Sequence, residues 1–278
     1  MKKILVPVDF SDFSNYALEV AAKLARKHEA EIIVLHMLGL SEAVFIKKES
    51  EGVEQAMFYM KLAEKRFETF LDQDFLEGIK VTETIHNYKA FHEINEVAKD
   101  NEVDLIIMGS HGTGGIEEVF VGSNTEKVVR TSEVPVLVIK QRREDFEIKD
   151  VVFACDFKIE NLKPFFNALQ LFNTLGATIH LVYINLPGEN FLSSSQIEKR
   201  VEEFLHEAGP GHLEYMKNIA YRNDYSVEKG VYEYSVKIDA DAIAVPTHGR
   251  QGLAHFFAGS IGEDIVNHAT LPVVTFKI

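Results

Sequence analysis

The stretch Lys2 to Phe10, KKILVPVDF, returns 147 residues later as Lys149 to Phe157, KDVVFACDF, with Asp156 in register with Asp9 and Phe157 with Phe10. Each is a short apolar run that ends on a carboxylate, as expected of a strand buried on both faces that stops at a polar edge. A second correspondence lies downstream. Val245 to Lys277 aligns without a gap over Met108 to Lys140, an offset of 137, with 11 identities in 33 positions. Two copies of one unit are the simplest explanation, the second having lost ten residues midway.

The first copy reads as alternating strands and helices. KILVPVD is an apolar run, NYALEVAAKLARKH has helical spacing, and AEIIVLHM is a second apolar run, a βαβ unit. A long helical stretch follows from about Ser50 to Phe70, then a strand at Ile79–Ile85, a helix containing His92–Lys99, and strands at Val103–Met108 and Val134–Ile139. Apolar runs without alternation, joined by helical crossovers, predict a parallel sheet of five strands. The fold class expected is α/β, with two tandem Rossmann-like domains, residues 1–145 and 146–278. The charged stretch Gln141 to Asp150 reads as a short polar linker at the boundary.

Composition bounds the function. The chain has 278 residues, enough for two domains, and 46% are hydrophobic, as in an ordinary folded protein. Its 43 acidic residues against 29 basic give a formal charge of −14, which disfavours nucleic acid and anionic membrane surfaces as partners. The apolar run after Lys2 and Lys3 meets Asp9 after five residues, too short for a signal-peptide core or a membrane span, so a cytoplasmic location is expected. The single cysteine, Cys155, lies in an apolar run and reads as a buried strand position.

Between the last two strands of the first copy lies GSHGTGGIEEVFVGSNTEKVVRTSE, from Gly109 to Glu133: a glycine-rich loop, then a helix from Ser123. Gly109, Gly112 and Gly122 leave backbone amides unshielded, and such amides with a helix N-terminus favour an anion such as phosphate. Ser123 stands at the helix start, suited to capping or to a phosphate oxygen. Asp9 and Gly109 both follow strand ends, where parallel sheets bind ligands. A carboxylate suits ribose hydroxyls or an adenine amine, so Asp9 fits a nucleoside end; it equally fits helix capping, with Ser11 and Asp12. No G-x-x-x-x-G-K-[ST] motif occurs and the loop holds no lysine, so efficient ATP turnover is not expected. His111 and His248 share one loop position, but a single histidine per site falls short of zinc spacing, and no metal ligand set from side chains is assigned.

The pattern Gly109-x2-Gly112-x9-Gly122-Ser123, with VPVDFS and VDLIIMGSHG, resembles the nucleotide-binding signature of the universal stress protein family, and the resemblance covers both halves. It implies ATP, or AMP or ADP, on the glycine loop, with Mg2+ beside a triphosphate, in stress-response proteins that are often dimeric; two copies in one chain would form an intrachain pseudo-dimer. Carried over by position, Asp9 would meet the adenosine and Met37, at the end of the second strand, would offer backbone atoms to adenine. Gly109, His111, Gly112, Gly122, Ser123 and Asn124 would surround ribose and phosphates. In the second copy Asp156, Ile184, Gly249, Gly259 and Ser260 stand in register and Arg250 adds a charge, but Pro246 replaces the first glycine. Proline lacks an N–H and fixes φ, so a weak second site, or none, is expected. Two other readings stay open: a nucleotide-independent interaction module, and a slow ATPase. Protein partners are not identified by the sequence.

Overall fold

The structure, a computed structural model, describes residues 1–40, 49–88, 91–110, 123–247 and 271–278. It divides into two compact units, Met1–Phe146 and Glu147–Ile278.

In the first unit the elements run β1 (Lys3–Val8), α1 (Asp12–His28), β2 (Glu31–Leu40), α2 (Glu49–Phe70), β3 (Val81–Tyr88), α3 (Phe91–Asp100), β4 (Leu105–Gly109), α4 (Ser123–Thr131) and β5 (Val136–Ile139). The strands are ordered β3-β2-β1-β4-β5 and every pairing is parallel. Ile4, Leu5 and Val6 of β1 and Ile106 and Ile107 of β4 are fully buried, which is why these runs carry no polar alternation. Burying each such side chain contributes about 1.5–3 kcal/mol.

Helix α1 is fixed at both ends by its own sequence. Ser11 caps it, its Oγ accepting from the Ser14 N–H at 3.3 Å, and the chain leaves through Glu29 in the left-handed region at φ 53°. The helix therefore begins at Asp12, three residues before the run of helical spacing suggests.

The second unit repeats the plan: β6 (Asp150–Ala154), α5 (Leu162–Leu175), β7 (Thr178–Asn185), α6 (Ser194–Ala208), β8 (Ala220–Asn223), α7 (Val227–Lys237), β9 (Ala242–Thr247) and β10 (Val273–Lys277). The order β8-β7-β6-β9-β10 is again all parallel. Ser193 opens α6 with a capping box, its Oγ accepting from the Gln196 N–H while the Gln196 side chain accepts from the Ser193 N–H, so the run Ser193–Ser195 is structural.

The charged stretch after β5 is more than a tether. Glu19 of α1, only 7% exposed, takes Lys23 at 3.3 Å and the Arg142 Nε at 3.0 Å. The Lys23 ammonium donates to the Arg143 carbonyl at 2.6 Å and also to that of Glu144. Phe146 is buried. Residues 142–146 thus lie against α1 as part of the first unit.

Candidate functional site

In both units the strand order reverses between the first strand and the fourth, and an open parallel sheet binds ligands outside the carboxyl ends at that switch point. In the first unit the residues there are Asp9, just past β1, and Gly109, the last of β4.

Asp9 is held by the chain that follows it. Its Oδ1 accepts from the Ser11 N–H at 3.1 Å and from the Ser14 hydroxyl at 2.7 Å, and its own N–H donates to the Ser14 Oγ at 3.1 Å. Between them Phe10 takes a left-handed conformation at φ 65°, a turn that Asp9 stabilises through its side chain. The helix cap is Ser11; Asp9 braces the turn that leads into it. The Phe10 ring lies 4.4 Å from His36 and 5.1 Å from Phe67, centroid to centroid, with the Arg66 guanidinium 5.7 Å above it. His36 donates from Nδ1 to the Val8 carbonyl at 2.8 Å, and burial holds its pKa below the ordinary histidine value.

Gly109 is required by packing. A Cβ there would lie 2.7 Å from the backbone C and O and from the Cβ of Phe13, so only glycine lets the first turn of α1 come this close to β4. The Gly109 carbonyl accepts from the buried Thr125 hydroxyl at 2.8 Å, tying the first turn of α4 to the same strand end. Two helix starts, at Asp12 and Ser123, are thereby fixed beside the ends of β1 and β4.

The structure places Met37 within β2, which continues to Leu40, rather than at the strand's end. The β1–β2 pairing stops at Val8 opposite His36, one residue earlier, and the β2–β3 register shifts between Met37 and Leu40. Ser123 opens α4 and Asn124 is exposed on its first turn. His111, Gly112, Gly122, Gly249, Arg250, Gly259 and Ser260 lie outside the described residues.

The second unit builds the same turn from different residues. Asp156 Oδ1 accepts from the Lys158 N–H at 3.0 Å and from the Asn161 Nδ2 at 2.5 Å, and Phe157 sits at φ 54°. Asn161 holds the place of Ser14. The Lys158 ammonium neutralises the other Asp156 oxygen at 2.9 Å. Here the chain passes through a 3-10 turn, Ile159–Asn161, before α5 begins, and Pro246 carries a ring in the register position of Gly109. The last β6–β9 pair is Phe153 with Ala244, so the missing Pro246 N–H interrupts no bond to β6. Ile184, near the end of β7, is buried against Gly230 of α7, where a Cβ would approach its Cδ1 to 2.8 Å. Asp156, Ile184 and Pro246 line a cavity of about 200 Å³ at this switch point. The sequence signalled neither Ser14 nor Asn161 as site residues; their shared register was the available clue.

Chemically, the first unit sets a carboxylate and two helix N-termini around one strand edge, an arrangement that accepts hydroxyl or amine donors at one end and an anion at the other. Among the described residues no helix is long and apolar enough to cross a membrane, and no group of three or more metal-ligating side chains forms.

A family model described as "Universal stress protein family" matches residues 1–140 and again 147–277. The chain is 22% identical over 299 residues to universal stress protein Slr1230 of Synechocystis, covering all of both proteins. It is 31% identical over 157 residues to universal stress protein MJ0577 of Methanocaldococcus jannaschii, a match spanning 51% of this chain and 96% of that one. A universal stress protein structure from Archaeoglobus fulgidus shares the fold, with a TM-score of 0.61 at 20% identity over 99% of this chain and 96% of that one.

Proposed function

Since the chain belongs to the universal stress protein family, its two domains in tandem, we propose that the first unit binds an adenine nucleotide and that the bound state governs which protein partners it engages. The observation that carries this reading is the convergence of Asp9 and the starts of α1 and α4 on one strand edge, held by the Ser14–Asp9 and Thr125–Gly109 hydrogen bonds. Asp9 would accept from ribose hydroxyls or the adenine amine, the Met37 backbone would meet the base, and the start of α4 at Ser123 and Asn124 would favour the phosphates. His111, Gly112 and Gly122 of the connecting loop would complete the enclosure, with Mg2+ accompanying a triphosphate. Gly109 serves this site through packing. The second unit is proposed to be degenerate toward nucleotides because Pro246 stands where Gly109 stands in the first. A binding and switching role is favoured over turnover, because the loop lacks the lysine that phosphoryl transfer uses.

Calorimetry with ATP, ADP and AMP in the presence of Mg2+, together with mass spectrometry of the denatured purified protein, tests the reading. One nucleotide per chain, weakened at least tenfold by Asp9→Ala, is the expected result. Absence of binding by all three at millimolar concentration overturns it.

A second reading, an interaction module that needs no nucleotide, is favoured by α2. Met57, Phe58, Met60 and Leu62 are 38–64% exposed on that one helix. Equal partner capture with and without saturating ATP would select it.

A further inference from the structure

We propose that α2 pairs with α2 of a second copy of this chain, the two helices running antiparallel about Phe58, with Glu54 of each copy beside Lys61 and Lys65 of the other. The pairing is independent of the nucleotide site proposed above.

Helix α2 turns one side to its own unit, where Ala63 and Phe67 are buried. At about 100° per residue the opposite side is the line Glu54, Phe58, Lys61 and Lys65, spaced by four, three and four residues, and all of these are exposed. Phe58 is 64% exposed on that line, with Met57 and Leu62 beside it at 52% and 39%. The fold does not demand this hydrocarbon. In the second unit the equivalent helix is α6, because Phe204 packs against Phe157 as Phe67 packs against Phe10. Taking Phe67 and Phe204 as equivalent, Ser194, Ser195 and Lys199 stand where Met57, Phe58 and Leu62 stand. One helix of the pair keeps a polar outer side, and the other carries an apolar turn of the kind that marks a contact surface.

Charge specifies what covers that turn. Along the exposed line Glu54 precedes Phe58, and Lys61 and Lys65 follow it. None of the three forms an ion pair with a described residue, so their charges are available to a partner. Parallel pairing of two such helices would set Glu54 on Glu54 and lysine on lysine. Antiparallel pairing about Phe58 sets each Glu54 against the lysines of the other copy, and it does so twice, as a two-fold contact requires. A partner helix of one charge sign would match only half of the line, whereas this sequence reversed matches all of it. Two chains of formal charge −14 repel at long range, and a contact of about three helical turns falls below the ~1,600 Å² of a standard interface. A reversible dimer in the micromolar range follows.

Sedimentation velocity of the full chain without nucleotide, in ~150 mM salt and from about 1 to 200 µM, reads the equilibrium. The wild type is expected to pass from monomer to dimer across that range. Phe58→Ser, Glu54→Lys and the pair Lys61→Glu with Lys65→Glu should each weaken the dimer about tenfold or more. Exchanging all three charges in one chain should restore it to within about threefold, because the antiparallel contacts are then re-formed with their signs reversed. Mixing the Glu54→Lys protein with the Lys61→Glu, Lys65→Glu protein should give a heterodimer that neither forms with itself. All the altered side chains are exposed, so each variant should melt as the wild type does, and a variant that does not is set aside in favour of the mixing experiment. A wild type that stays monomeric throughout overturns the proposal. So does a dimer that survives every substitution, which would place the contact on another surface, and so does a charge exchange or a mixture that fails to restore association.

Discussion

Gly109 and Phe13 approach so closely that a Cβ on the glycine would fall 2.7 Å from the Phe13 backbone carbon. The first glycine of the proposed nucleotide signature is therefore a packing residue joining β4 to α1. Gly109→Ala should lower stability by about 1–3 kcal/mol, because backbone rather than a flexible side chain must move. It should also weaken nucleotide binding by displacing Asp9. A thermal melt with and without ATP checks both effects; unchanged melting temperature would show that α1 is not held as described. Because loss of binding in this variant reports on packing, Asp9→Ala is the cleaner probe of ligand contact.

Ser14 makes a second test of the same turn. Its hydroxyl donates to Asp9 Oδ1 at 2.7 Å and accepts from the Asp9 N–H at 3.1 Å, and the residue is 4% exposed. Ser14→Ala leaves both groups to find other partners and should destabilise the protein by about 1–3 kcal/mol in urea unfolding. Ser14→Thr, which keeps the hydroxyl, should recover part of that loss.

The strands and the doubling were legible because both depend on local pattern: a strand buried on two faces must be apolar throughout, and a repeat aligns with itself. The reason for Gly109 was hidden, since a close approach between Gly109 and Phe13 is a tertiary contact that no spacing in the loop reveals. Likewise α1 starts at Asp12 through the Ser11 cap, whereas apolar spacing becomes visible only from Asn15. Met37 was expected at a strand end, yet β2 runs on to Leu40 because β3 continues to pair with it past the end of β1. The second unit's cavity was beyond the sequence for the same kind of reason. Replacement of Ser14 by Asn161 is visible in the register, but the burial that leaves its Oδ1 unpaired is not.

His36 should make stability depend on pH. Burial, aided by the nearby Arg66 charge, lowers its folded pKa below the unfolded value near 6.5, outweighing the favourable Val8 carbonyl and Asp9. The unfolded chain then binds the proton more readily than the folded one, so stability falls as pH drops below the unfolded pKa and levels off below the folded one. His36→Asn, neutral throughout, should show a smaller loss of melting temperature between pH 7.5 and about pH 5.5. Parallel losses in the two proteins would contradict the assignment.

Cys155 should resist modification. It is 5% exposed, its Sγ accepts from the Phe157 N–H at 3.3 Å, and burial raises its pKa far above the ordinary thiol value. A disulfide-exchange reagent at pH 8 should label it slowly in the native protein and rapidly in denaturant; comparable rates would show that the thiol is open and ionised.

The Glu19 cluster ties the stretch after β5 onto α1, and proteolysis can read that tie directly. Glu19 is nearly buried and gathers Arg142 and Lys23, while Lys23 in turn holds the Arg143 and Glu144 carbonyls. Glu19→Ala removes the acceptor at the centre and leaves two cations without it, so the Arg142–Arg143 segment should detach more often. Trypsin should then cut after Arg142 or Arg143 several-fold faster than in the wild type, and the first product should split near the boundary between the units. Arg142 is largely exposed and Glu19→Ala leaves no unpaired charge in the interior, so the effect should be chiefly local. Cutting that stays confined to this segment, with distant lysine and arginine sites still protected, separates local release from unfolding. An unchanged cleavage rate would mean that the segment is held by Phe146 and its apolar contacts and that the ion cluster adds nothing.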